Sequence, residues 1–151
     1  MLRSRFSEAL KDSLRAKRQL ELATVRLIMA GLKDRDIAAR SKGNTTGISD
    51  EEILQMLNSM VKQRRESVGL YEQGGRDALA QQEREEINII QSFLPKQMSA
   101  DEINEAVKVA MAEAGAASIK DMGKVMGLLK EKFAGRMDFS KASSIVKQNL
   151  G

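Results

Sequence analysis

The chain has 151 residues, 25 Lys and Arg against 21 Asp and Glu for a net charge of +4, a single Pro, no Trp and 3% aromatic residues. That length can bury the core of one domain or of two small ones, and a composition rich in Ala, Leu, Met, Lys, Arg, Glu and Gln predicts an all-α fold. The absence of Cys and His excludes disulfides, thiolate nucleophiles and Cys-ligated clusters and removes the commonest metal ligand and general base, so no catalytic residue, metal or cofactor is expected.

The opening Met1-Leu-Arg-Ser-Arg-Phe6 turns charged at once, and no later apolar run approaches about 18 residues, which predicts a cytoplasmic protein without a membrane segment. From Arg3 to about Lys17, Leu2, Phe6, Leu10 and Leu14 recur every four residues, the spacing of a helical face. A second segment, Leu20 to Arg40, sets Leu20, Thr24, Leu27, Ile28, Gly31, Leu32 and Ile37 on another. No strong breaker separates the two, so a kink near Ala16 to Gln19 and one long helix are both open.

Ser41 to Gly47 reads as a loop, rich in Gly and polar turn formers. Ser49-Asp-Glu-Glu52 then forms a capping-box pattern and opens a helix whose Ile53, Leu57, Met60, Val61, Arg64, Val68 and Tyr71 share a face. Gln73-Gly-Gly75 ends it, and a further helix is predicted from Arg76 to Phe93 with Leu79, Ile87, Ile90 and Leu94 inward. Pro95 disfavours helix at the residue before it and marks the predicted boundary between an N-terminal helical domain of about four helices (1–94) and a three-helix bundle (95–151).

Beyond Pro95, Ser99-Ala-Asp-Glu102 repeats the capping box. Ile103, Val107, Ala110, Met111 and Ala114 define a helix closed by Gly115; Ser118 is predicted to cap the next, with Ile119, Met122, Met126, Leu129 and Phe133 facing a core. Ala142, Ile145, Val146 and Leu150 define the last, from Ser140. Charge divides along the chain: residues 1–42 hold 11 Lys and Arg against 5 Asp and Glu, residues 43–94 hold 5 against 9, residues 95–119 hold 2 against 4, and residues 120–151 hold 7 against 3. Basic ends attract phosphates, and a mild Lys excess also keeps ordinary helical proteins soluble.

Two constellations carry candidate function. In the helix after Ser118, Gly123 and Gly127 stand four residues apart, although an interior Gly weakens a helix by about 0.8 to 1 kcal/mol relative to Ala. Either they admit a close crossing by another helix or a partner chain, or they let a nucleic-acid backbone approach, drawn by Lys120, Lys124, Lys130, Lys132 and Arg136. The second constellation is Lys62, Arg64, Arg65, Ser67 and Tyr71 with Arg76, Glu83 and Glu86. It reads either as ion pairing between two antiparallel helices or as a ligand or partner face built on forked guanidinium donors. Ser143-Ser144 beside Lys141 and Lys147 lacks the oxyanion loop that a Ser-Lys hydrolase needs, and no Walker or Rossmann glycine pattern occurs.

Taken together, Lys62-Gln-Arg-Arg-Glu-Ser-Val68, Gly75-Arg-Asp77, Ala80 to Glu86, Phe93-Leu-Pro-Lys-Gln-Met98, Ser118-Ile-Lys-Asp-Met-Gly-Lys-Val-Met126 and Gly135-Arg136 resemble the YqeY family over nearly the whole chain. The resemblance implies an N-terminal helical domain special to that family. It also implies a C-terminal module shared with the tail of GatB, the B subunit of the amidotransferase that converts misacylated Glu-tRNA and Asp-tRNA. In that enzyme the tail reaches the tRNA elbow, while ATP use and transamidation lie in parts this chain does not contain. Where a small polar turn with Gly is expected, this chain has Met137-Asp-Phe-Ser140.

The function implied is that of a non-enzymatic, tRNA-interacting or tRNA-linked accessory protein. Two alternatives stand beside it: a protein-interaction module docking through the Arg64 and Arg76 face, and a carbon-nitrogen ligase with glutamine as amido donor, active only within an amidotransferase complex.

Overall fold

The computed structural model describes residues 1–150. They form seven α-helices and one 3-10 turn, with no strand among the described residues, so the all-α expectation holds. The helices are α1 (Leu2–Arg15), α2 (Gln19–Arg40), α3 (Asp50–Gln73), α4 (Asp77–Gln91), α5 (Ala100–Ala114), α6 (Met122–Lys132) and α7 (Phe139–Leu150). They group into two compact units, Met1–Pro95 and Lys96–Gly151, each with its own hydrophobic core.

In the first unit α1 and α2 are separate helices, with Lys17 in the left-handed region (φ 56°) at the junction. The four-residue spacing that predicted the α1 face overstates it: each step of four advances about 40° past a full turn. Leu2 and Phe6 are buried, whereas Leu14 is 51% exposed and Ser13 lies inside. Ser13 is accommodated because its Oγ donates to the Ala9 carbonyl at 2.7 Å; buried Thr24 does the same to Leu20 at 2.8 Å. Leu27 and Ile37, also expected inward, are 49% and 52% exposed, being out of phase with the buried Thr24, Ile28 and Leu32.

Ser49 caps α3 through the full box with Glu52. α3 packs against α4 across the Gly74-Gly75 turn, where Gly75 takes φ +70°. On α4 Ala80 and Ile90 are fully buried, whereas Leu79, expected inward, is 39% exposed. Ala80, Ile87 and Ile90 keep the 3.6-residue phase, which Leu79 misses by one position. The end of the unit is anchored by Phe93, which meets Phe6 edge to face with ring centroids 5.0 Å apart. Arg5 lies over the same ring at 5.3 Å and donates to the carbonyls of Ser92 and Phe93 at 3.0 and 3.3 Å.

The second unit packs α5, α6 and α7 around Ile103, Val107, Val125, Leu129, Met137 and Val146. Burying each such side chain contributes about 1.5 to 3 kcal/mol. Ser99 and Glu102 form the expected box at the start of α5, and Gly115 closes that helix in the left-handed region (φ 61°). A 3-10 turn, Ile119–Asp121, precedes α6. Ile119, expected in the core, stands in this turn and is 55% exposed, while Val125 is fully buried. The segment after Pro95 is pinned to the turn before α7: Met98 N–H donates to the Arg136 carbonyl at 2.9 Å, and the Gln97 side-chain amide to the Gly135 carbonyl at 2.6 Å.

Candidate nucleic-acid interface

The inward face of α6 is fixed by Val125 and Leu129, with Met122, Met126, Leu128 and Phe133 packed around them. The residues opposite that face are Lys120 in the preceding turn, then Gly123, Lys124, Gly127 and Lys130, and all five are exposed. A Cβ built on Gly123 or Gly127 would meet nothing within 4 Å. No helix of this unit therefore crosses there, and the close-crossing reading of the glycine pair is corrected for the unit's own helices. The glycines bare about one turn of helical backbone to solvent, and among the described residues Lys120, Lys124 and Lys130 make no ion pair.

The other two predicted contacts are already engaged. Lys132 Nζ pairs with Glu113 on α5 at 2.7 and 2.8 Å, and Arg136 Nε donates to the Lys96 carbonyl at 3.2 Å. Ahead of α6 the chain caps its own donors. The Asp121 carboxylate accepts from the N–H groups of Ala117 and Ser118 at 2.9 and 3.3 Å, and these bonds hold it below the usual Asp range. At the departure from the expected small polar turn, Met137 is buried, and Asp138 accepts from Ser140 and Lys141 N–H to start α7.

The second constellation separates into a pair-forming core and an exposed fringe. Arg64 Nε lies 3.1 Å from Glu86 and 3.9 Å from Glu83, all three mostly shielded from solvent. Burial first and the neighbouring Glu86 second raise the Glu83 carboxyl above its ordinary value, although Arg64 opposes the shift. Nearer the turn Arg84 pairs with Glu72, a contact the sequence reading missed. The two pairs recede together from Gly74-Gly75, as antiparallel helices require. Ser67 Oγ is turned back onto the Gln63 carbonyl at 3.2 Å. Lys62, Arg65 and Arg76 are exposed and Tyr71 is half-buried; none of these four joins the Arg64 pairing. The guanidinium best placed to fork a ligand thus serves the α3–α4 contact.

Among the described residues no group of three or more acids is placed to hold a metal ion, and no helix is long and apolar enough to cross a membrane. One family model, described as Yqey-like protein, matches residues 3–150 and so takes in all seven helices but for the first residue of α1. The chain belongs to the YqeY family. A curated relative of this YqeY chain is "Altered inheritance of mitochondria protein 41, mitochondrial" from Eremothecium gossypii, 29% identical over 89 residues. That match covers 59% of this chain and 46% of the relative, so it spans just under half the relative's length.

Proposed function

We propose that this YqeY protein is a non-enzymatic accessory factor of tRNA metabolism whose C-terminal unit contacts RNA phosphates. The reading treats residues 1–94 and 95–151 as separate domains and assigns no reaction to the chain alone. Lys120, Lys124 and Lys130 would supply the charge, and Gly123 and Gly127 the bared backbone over which a sugar-phosphate chain can pass. The observation that carries it is the open space at both glycines on the unpaired lysine face. Two costly residues that nothing in their own unit packs against are explained if their partner is another molecule. Lys132 and Arg136, already bonded within the unit, would contribute long-range charge more than direct contacts. The compartment we propose is the cytoplasm; the relative's name is mitochondrial, and imaging the tagged full-length protein in its own cell distinguishes the two.

Filter binding of the purified chain to bulk tRNA, against an RNA duplex of equal charge over a salt series, tests the reading. Three lysine contacts predict a slope of log K on log salt of about −2 to −3 and a preference for tRNA. Equal affinity for both RNAs would overturn it.

A further inference from the structure

We infer that the groove between α1 and α2 in the N-terminal unit is a docking surface for an acidic amphipathic helix of a partner protein. α2 is 22 residues long, and its outward side joins apolar and cationic residues that the core does not use. Ile37 is 52% exposed, and Ala30, Lys33 and Arg40 are exposed beside it. These four border a groove of about 490 Å³ whose floor includes Phe6 and Met29.

The lining charges are one-sided. Lys33 and Arg40 make no ion pair among the described residues, whereas the lining carboxylate, Asp36, is taken by both guanidinium nitrogens of Arg3 and by the Ile48 N–H. An apolar floor with unpaired cations along its α2 edge complements a helix that carries a leucine-like stripe and carboxylates on its flank. From Met29 to Arg40 the α2 edge runs about 16 Å, enough to seat roughly three turns of a partner helix. The concavity disfavours a flat lipid surface, and the apolar floor of Phe6 and Met29 beside Lys33 and Arg40 matches a leucine stripe flanked by carboxylates, which a phosphate chain lacks, so a protein helix fits better than a membrane or RNA. This surface lies outside the unit to which RNA contact is assigned above, and it stands or falls separately.

The test uses the full chain, isotope-labelled for NMR, and two synthetic 18-residue amphipathic peptides with the same leucine stripe, one flanked by Glu and one by Lys. The Glu peptide is expected to shift the amide signals of Ala30, Lys33, Ile37 and Arg40, and the Lys peptide to leave them in place. The double variant K33E/R40E should lose roughly tenfold or more in affinity for the Glu peptide. Ile37→Gln, also at an exposed position, should weaken binding without altering the circular dichroism spectrum. Equal binding of both peptides would overturn the inference, as would shifts confined to other surfaces. So would signals at these residues that respond instead to anionic phospholipid vesicles, to RNA, or to the chain's own concentration as a second copy docks.

Discussion

Arg3 holds Asp36 with two parallel hydrogen bonds, Nη1 to Oδ2 at 2.8 Å and Nη2 to Oδ1 at 2.9 Å, and the same Nη2 donates to the Ile48 carbonyl at 3.0 Å. Asp36 Oδ1 in turn accepts from Ile48 N–H at 2.9 Å. One ion pair thereby ties α1, α2 and the segment entering α3, three elements that are distant in sequence. Its bidentate geometry makes it stronger than an ordinary surface pair, although the partial exposure of Arg3 moderates it.

Gly47 is the residue that makes room for this clamp. It takes φ +98°, and a Cβ there would lie 2.7 Å from Arg3 Nη2 and 3.1 Å from Asp36 Oδ1. Gly47→Ala should therefore cost about 1 to 3 kcal/mol, combining left-handed strain with displacement of the guanidinium. Urea titration of the two proteins measures this. A loss no larger than that at Gly43, where the added Cβ meets nothing, would contradict it.

The clamp also sets an acid limit. The Arg3 hydrogen bonds first, then the Ile48 N–H, lower the Asp36 carboxyl from 3.8 to about 2. A carboxyl depressed on folding contributes stability that is complete above its unfolded value and is lost as pH falls through the folded one, so the loss should run from about pH 4 to pH 2. Asp36→Asn should flatten the stability-against-pH curve in that window. Glu83 acts in the opposite sense: its raised carboxyl binds protons more readily in the folded state, so its contribution declines as pH rises above the ordinary Glu range.

Arg64→Met should destabilise the N-terminal unit at neutral pH by about 2 to 4 kcal/mol, because Glu83 and Glu86 then face each other without a cation in a shielded site. Thermal melts at pH 7 and pH 5 separate charge from packing. The deficit should be smaller at pH 5, because burial already favours the protonated form of Glu83 and acid favours it further; an equal deficit at both values would assign the role of Arg64 to its aliphatic stem.

The lysines of the C-terminal unit should divide into two classes. Lys124→Glu and Lys130→Glu should each weaken tRNA binding, reduce the salt slope by about 1 and leave the melting temperature nearly unchanged. Lys132→Ala should weaken binding less and cost up to about 0.5 kcal/mol of stability through the exposed Glu113 pair. Paired binding and melting curves for the three variants check the division.

The sequence made legible those features whose causes are local. Ser49 with Glu52, Ser99 with Glu102, and Gly115 mark their helix ends because cap and partner lie within three residues or one turn. Faces were less secure: Leu14 and Leu79 carry apolar side chains one position out of phase with buried Ser13 and Ala80, and Ile119 falls in the 3-10 turn that precedes α6. The Arg3–Asp36 clamp had no local signature, since its partners are 33 residues apart. Likewise nothing beside Lys132 indicates that Glu113, 19 residues earlier, engages it. The outward placement of Gly123 and Gly127 was recoverable in principle, because the stripe Met122, Met126, Leu129 and Phe133 leaves them opposite. What the spacing alone could not exclude was a helix crossing on that far side.

The glycine pair separates stability from binding most directly. Both positions are helical and open, so the double substitution Gly123→Ala and Gly127→Ala should stabilise the C-terminal unit, by about 1 kcal/mol or more. If the bared backbone is where RNA passes, the added methyl groups should lower tRNA affinity in the same protein. The measurement is a melting curve and a tRNA titration on one preparation of the double variant beside the unaltered chain. The account predicts a higher melting temperature with weaker tRNA binding. A higher melting temperature with tRNA affinity unchanged would contradict it.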